Sequence, residues 1–88
     1  MKRNDNYIVR KIAGETLLVP TGAAAREFSG LITLNELGAF IWEHLNEAVD
    51  AQDLAKMIAA EYEVDPATAR ADAQEFLDRV ISRHMAEL

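Results

Sequence analysis

The side chains that could act as nucleophiles or general bases are few in this sequence, and they form no recognisable catalytic set. The histidines, His44 and His84, are 40 residues apart, and each lies on a predicted polar helix face, where a solvated histidine is the ordinary case. No GxSxG motif includes Ser29 or Ser82, and no HExxH motif or glycine-rich phosphate loop is present. Most carboxylates fall at helix starts or on polar faces, where capping and solvation account for them. The sequence therefore predicts a non-enzyme with no catalytic residues, no cofactor and no bound metal.

Length and cysteine content narrow the class of protein further. The 88 residues suffice for one domain spanning residues 1–88, and not for a second. No cysteine is present, so neither a disulfide nor a cysteine-based metal site can form. The basic N-terminal residues are not followed by the apolar run of a signal peptide, and no stretch approaches the roughly 18 apolar residues of a membrane span. We therefore expect a cytoplasmic protein with no membrane segment.

The formal net charge of −6 is distributed unevenly along the chain. Residues 1–34 contain five Lys or Arg and three Asp or Glu, a net charge of +2, whereas residues 35–88 contain four and twelve, a net charge of −8. Nucleic-acid-binding domains usually carry the opposite charge on the element that reads the bases. This distribution argues against a nucleic-acid partner and suits a partner that carries positive charge.

The first third of the chain predicts three β-strands. Residues 7–12 and 16–19 are rich in β-branched residues and leucine, and Gly14 between them can adopt the positive φ that a two-residue hairpin turn needs. Pro20 ends the second strand, and residues 28–34 form the third. If the strands pair in chain order, the third lies at an edge of the sheet, where its unpaired main-chain groups could accept another strand.

Three helices are predicted after the strands, over residues 35–45, 51–62 and 66–84. Asn35, Asp50 and Asp65 are their N-caps, and Pro66 occupies the first helical position of the third. Gly38 inside the first helix predicts a close approach of another backbone, because glycine there costs about 1 kcal/mol relative to alanine. We interpret Trp42 as a core side chain. The element order predicts an α+β, winged-helix-turn-helix-like fold, in which a three-stranded antiparallel sheet is followed by three helices.

One segment resembles a known family. The run GLITLNELGAFIWEHL, from Gly30 to Leu45, is similar to the signature of the PqqD family, in which a strand ends in Leu-Asn-Glu and is followed by a small residue and an apolar-Trp pair. Residues 61–65 (EYEVD), and Asp72, Phe76 and Leu77, are further similarities. The resemblance covers roughly residues 7–82. The chain departs from the family at residues 46–50 (NEAVD), where Asp-Gly and Thr are usual, and at 82–85 (SRHM), where a Gly-Leu ending is common.

The resemblance implies a non-catalytic peptide chaperone, or recognition element, for ribosomally made peptides that are later modified. Such a domain would bind the leader segment of a precursor peptide as an added strand, between the third strand and the third helix. It would present the peptide to a modifying enzyme, often a radical S-adenosylmethionine enzyme. The implied peptide-binding residues lie on those two elements and are Gly30, Leu31, Ile32, Thr33, Leu34, Ala69, Arg70, Ala73, Phe76 and Leu77.

Two other functions share the predicted order of elements. The first is a winged-helix DNA-binding regulator, whose recognition helix should carry a basic face. Here the last helix carries Arg70, Arg79 and Arg83 spread around its circumference, together with three acidic residues. The second is a structural or dimerisation subunit, and a homodimer is compatible with the sequence.

Overall fold

The computed structural model of the chain describes residues 1–22 and 32–87. Five strands are described: β1 (Lys2–Arg3), β2 (Tyr7–Ile12), β3 (Glu15–Pro20), β4 (Ile32–Leu34) and β5 (Ala86–Glu87). The helices are α1 (Glu36–His44), α2 (Ala51–Glu61) and α3 (Pro66–Ser82), with a short 3₁₀ turn (Leu45–Glu47) after α1. The predicted three-stranded antiparallel sheet followed by three helices is confirmed, with the order β2-β3-β4. Residues 28–31 of the predicted third strand, including Gly30 and Leu31, lie outside the described residues.

The sheet begins with a two-residue hairpin at Ala13 and Gly14. Ile12 pairs with Glu15, and the two residues between them have φ values of 52° and 83°. Positive φ at both central positions is characteristic of a type I′ turn, which matches the twist of the flanking strands. Gly14 adopts this conformation without steric cost, as the sequence predicted, whereas Ala13 carries a Cβ in it.

The three predicted N-caps are present. Asn35 accepts a hydrogen bond from the main-chain N–H of Gly38 at 2.7 Å, Asp50 from that of Asp53 at 3.0 Å, and Asp65 from that of Thr68 at 3.3 Å. Each cap satisfies one of the N–H groups that the first helical turn leaves unpaired. The helices therefore start where local sequence predicted, and α1 ends one residue earlier than expected, before the 3₁₀ turn.

One hydrophobic core joins the inner face of the sheet to all three helices. Its largest fully buried side chains come from these elements, from the 3₁₀ turn and from the segment after α3: Leu18, Ile41, Leu45, Leu54, Ile58, Leu77, Val80 and Met85. Trp42 is 3% exposed, in agreement with its interpretation as a core residue. The core holds α1 against β4 and α3, which places the edge of the sheet beside the last helix.

The C-terminal end of the last helix differs from the prediction. α3 ends at Ser82 rather than at residue 84, because His84 adopts a φ of 59°. The N–H of Met85 then bonds to the carbonyl of Val80 at 2.9 Å, and that of His84 to the carbonyl of Ile81 at 3.0 Å. This pair of bonds defines a Schellman motif. It reverses the chain so that Met85 enters the core and β5 pairs with β1.

Candidate functional site

The candidate site is the open edge of the three-stranded sheet. β4 pairs with β3 on one side, and no other described strand pairs with its second side. An unpaired strand edge presents main-chain N–H and C=O groups that an added strand can use. Which groups point outward depends on the register of the sheet.

The hairpin turn determines that register. In the turn at Ala13 and Gly14, Ile12 and Glu15 bond to each other, and bonded pairs then alternate along the two strands. Leu17 and Val19 therefore also bond to β2, while Thr16 and Leu18 direct their main-chain groups towards β4.

The same alternation continues into β4. Leu18 faces Ile32 and Thr16 faces Leu34, so both of these β4 residues direct their N–H and C=O groups to β3. Thr33 between them directs its own groups to the open side. The side chains follow the alternation of a strand, because Ile32 and Leu34 are each 4% exposed in the core whereas Thr33 is exposed.

A side chain of α3 provides independent support for this orientation. One guanidinium nitrogen of Arg79, Nη2, donates a hydrogen bond to the carbonyl oxygen of Thr33 at 3.5 Å. That carbonyl must point away from β3 for an exposed side chain of the last helix to reach it. The contact also places the open edge within reach of a side chain from the C-terminal half of α3, 46 residues further along the chain.

A small depression lies between the first turn of α1 and α3, beside the end of β4. Its volume is about 160 Å³, and its lining includes Asn35, Leu37, Asp72, Glu75, Phe76 and Arg79. Phe76 is 7% exposed and supplies an apolar wall, while Leu37 is half-buried. The depression therefore combines apolar and charged groups next to unpaired main chain, which is the arrangement that an added strand with anchoring side chains requires.

A larger depression of about 1070 Å³ lies on the other side of α1, against the inner face of the sheet. Its lining includes Val9, Lys11, Thr16, Ala39 and Glu43. It is broad and open, and its lining also includes Thr33, although β2 and β3 across its floor are paired with each other. Strand addition depends on unpaired main chain rather than on cavity volume. We favour the smaller depression because Arg79, which lines it, contacts the outward carbonyl of Thr33.

The predicted site residues fall into distinct environments. Ala69 and Ala73 are 0% exposed and Leu77 is 2% exposed, so these three side chains belong to the core. Arg70 is exposed and donates to Gln74 at 2.9 Å. Among the predicted residues of α3, Phe76 alone lines the small depression.

Sequence reasoning did not assign the polar residues of the depression to the site. Asp72, Glu75 and Arg79 line it together with Phe76. Their spacing of three to four residues along α3 places them on one side of the helix. That spacing was the available signal, but nothing local indicates which helix face lies beside the sheet edge.

Outside the depression, His44 has one polar and one aromatic neighbour among the described residues. His44 lies 2.8 Å from Glu47 through its Nδ1 atom, and its ring contacts Phe40 at a centroid distance of 4.4 Å. Over residues 1–22 and 32–87, no group of three His, Cys, Asp or Glu side chains is close enough to hold a metal. No buried side-chain polar atom in this range lacks a partner. None of the described helices is long and apolar enough to cross a membrane.

Tyr62, at the end of α2, has a perturbed pKa. Partial burial raises the pKa of its phenol above the usual 10.0, and the nearby carboxylates of Glu36 and Glu61 raise it further. The ring packs edge-on against Phe40, with a centroid distance of 5.4 Å. The raised pKa keeps the phenol protonated at neutral pH, and its ring packs against Phe40.

Comparison with known proteins found a similar solved structure and a matching family. The chain is similar to a solved structure described as "TbiB1 in Complex with the TbiA(beta) Leader Peptide", with a TM-score of 0.74 and 26% identity. The similarity covers 99% of this chain and 95% of that one. None of the curated proteins matches the chain. The family described as "Coenzyme PQQ synthesis protein D (PqqD)" matches residues 8–86, and the chain belongs to that family.

Proposed function

We propose that this chain is a non-catalytic peptide-binding module that captures the leader segment of a ribosomally made precursor peptide. The peptide adds as a strand to the open edge of β4 and extends along the small depression on α3. The observation that carries this proposal is the outward orientation of the Thr33 main chain beside α3. Membership of the PqqD family and similarity to a structure containing a leader peptide support it.

The sheet has a second edge at β2, which offers a direct comparison. The register directs the main-chain groups of Val9 to that edge, since Val9 faces Leu18 in a non-bonded pair. Arg10 and Lys11 are exposed on β2, and exposed charges of this kind discourage strand pairing. Phe76 supplies an apolar wall next to β4, and Arg79 beside it contacts the outward carbonyl of Thr33. We therefore assign the peptide to β4.

Proline substitutions test this assignment. Ile32→Pro removes an N–H that bonds to β3 and should destabilise the fold, whereas Thr33→Pro removes an outward N–H and should leave the fold largely intact. Val9→Pro is the matched control, because it removes an outward N–H from the other edge. We expect Thr33→Pro, and not Val9→Pro, to weaken binding of peptides selected against the wild-type chain from a displayed random library.

A complementary measurement uses the peptide instead of the protein. Methylation of successive main-chain nitrogens in one selected peptide should weaken binding at alternate positions, because only every second N–H of an added strand faces β4. Circular dichroism verifies the fold of each protein variant. Wild-type affinity for Thr33→Pro, or methylation effects without a period of two, would show that the peptide binds elsewhere.

After capture, the module performs no chemistry itself and presents the peptide to a modifying enzyme, for which the family resemblance favours the radical S-adenosylmethionine class. Copurification of the tagged chain from its native cells, followed by mass spectrometry, tests this step. Recovery of a modifying enzyme that is lost with Thr33→Pro would indicate that the peptide bridges the two proteins. Recovery unaffected by Thr33→Pro would indicate a direct contact between them.

A further inference from the structure

Arg79 uses little of its hydrogen-bonding capacity on the residues that the structure describes. Its guanidinium carries five N–H donors, and its one hydrogen bond in the described part of the chain is the 3.5 Å contact with the Thr33 carbonyl. Asp72, Glu75 and Asp78 are on the same helix, yet no ion pair within 4.0 Å forms between Arg79 and any described carboxylate. The guanidinium therefore lies at the open edge with most of its donors unused by the described residues.

Strand addition would release even this contact. An added strand that bonds to the outward groups of Thr33 needs the carbonyl oxygen that Arg79 now contacts. This hydrogen bond is exposed to solvent and, at 3.5 Å, lies at the limit of hydrogen-bonding distance. It contributes little to stability, so replacing it requires little free energy. The freed guanidinium would then lie beside the incoming peptide at the rim of the depression.

The surroundings define which peptide group suits that guanidinium. Arg79 is the only basic residue among the described residues that line the depression, and Asp72 and Glu75 are acidic. A carboxylate on the peptide would be repelled along most of this surface and attracted at Arg79, where a planar guanidinium can bind it through two parallel hydrogen bonds. The peptide position beside Arg79 therefore favours an acidic side chain, whereas the neighbouring positions disfavour one.

We propose that Arg79 is a specificity-determining residue that selects peptides carrying an Asp or Glu side chain close to the residue that pairs with Thr33. The inference rests on the proposed strand addition and deepens it. Main-chain bonding alone holds an extended peptide in several alternative registers, since every second residue offers the same groups. The pairing of one peptide carboxylate with Arg79 fixes a single register. In the free chain, the guanidinium of Arg79 contacts the carbonyl of Thr33 instead.

Selection from a displayed library of random peptides tests the proposal. The wild-type chain, Arg79→Gln, Arg79→Glu and Lys56→Gln are each used as bait, with circular dichroism as the check on folding. Lys56 is exposed on α2 and does not line the depression, so Lys56→Gln removes the same charge outside the proposed site. Wild type and Lys56→Gln should enrich an acidic residue at one fixed spacing from the apolar anchors. Arg79→Gln should lose this preference, and Arg79→Glu should replace it with Lys or Arg.

Titration of one wild-type-selected peptide gives the magnitude. Exchanging its acidic residue for the corresponding amide should weaken binding to the wild-type chain roughly tenfold and leave binding to Arg79→Gln nearly unchanged. Enriched peptides without an acidic position, or the same acidic preference in Arg79→Gln, would overturn the role of Arg79 in specificity. Either result would leave the proposed peptide binding standing. Failure of every bait to enrich any peptide would instead overturn the proposed peptide-binding function, and this inference with it.

Discussion

The ring of Phe76 lies 3.3 Å from the position that a Cβ would occupy on Gly38. The same Cβ would lie 3.1 Å from the Oδ1 atom of Asn35 and 3.6 Å from the side chain of Leu34. We expected another backbone at this glycine, and that expectation was wrong, because the close neighbours are side chains. Gly38 thus allows the aromatic wall of the depression to pack directly on α1 next to β4.

Substitutions at Gly38 should distinguish the effect of helix propensity on the free energy of unfolding from the effect of packing. Gly38→Ala gains about 1 kcal/mol of propensity but crowds Phe76 and the Asn35 cap, so we expect a net change in the free energy of unfolding below about 1 kcal/mol. Gly38→Ile should destabilise by roughly 1–3 kcal/mol through overpacking. Urea unfolding of the two variants measures both values. A marked stabilisation by Gly38→Ile would mean that Phe76 does not restrict this position.

His84 should be replaceable by glycine with a gain in stability. Its φ of 59° places a side chain in the left-handed region, where glycine has no Cβ penalty and is the usual residue of a Schellman motif. We expect His84→Gly to raise the free energy of unfolding by about 0.5–1 kcal/mol, which is smaller than the full relief of strain because glycine also increases the entropy of the unfolded chain. His84→Ala is the control and should bring no gain. Thermal melts in which both variants behave alike would contradict the assignment.

The raised pKa of Tyr62 predicts a specific loss of stability in alkaline solution. A phenol whose pKa is higher in the folded than in the unfolded chain stabilises the fold fully below the unfolded value of about 10, and this stabilisation is lost as the pH rises through the folded pKa. Tyr62→Phe keeps the ring against Phe40 and removes the titrating group. Denaturant midpoints of the two proteins should therefore fall differently between neutral pH and values above 10, with the steeper decline in the wild type. Parallel declines would show that other groups control alkaline unfolding.

Duplex DNA should not bind appreciably. Residues 35–88 have a net charge of −8, and on the exposed side of α3 Arg70 donates to Gln74, which in turn donates to Asp78, each at 2.9 Å. Phosphates approaching this helix would meet carboxylates, so the release of counterions that drives DNA binding would be small. Fluorescence anisotropy with a labelled random duplex at low salt is the measurement. Sub-micromolar binding that weakens as salt is added would favour the winged-helix regulator instead.

Local sequence determined the starts of the helices and the position of the hairpin turn. Asn35, Asp50 and Asp65 cap helices through bonds to N–H groups three residues away, and Gly14 lies in the turn that its conformational freedom favours. These interactions involve residues close in sequence, so residue types and spacing suffice to predict them. The same sequence carried the family signature between Gly30 and Leu45, and the family match over residues 8–86 confirmed it.

Only the tertiary structure decided which groups meet at the candidate site. The outward orientation of Thr33 depends on pairing with β3, and its contact with Arg79 joins residues 46 positions apart. The left-handed conformation of His84 arises where Met85 enters the core and β5 reaches β1. Such contacts depend on how the core packs the helices on the sheet. A helix forms the same internal main-chain hydrogen bonds whichever of its faces lies against the sheet, so local sequence does not choose the face. Periodicity therefore identified Phe76 as apolar, whereas packing alone placed it, with Asp72, Glu75 and Arg79, beside the open edge.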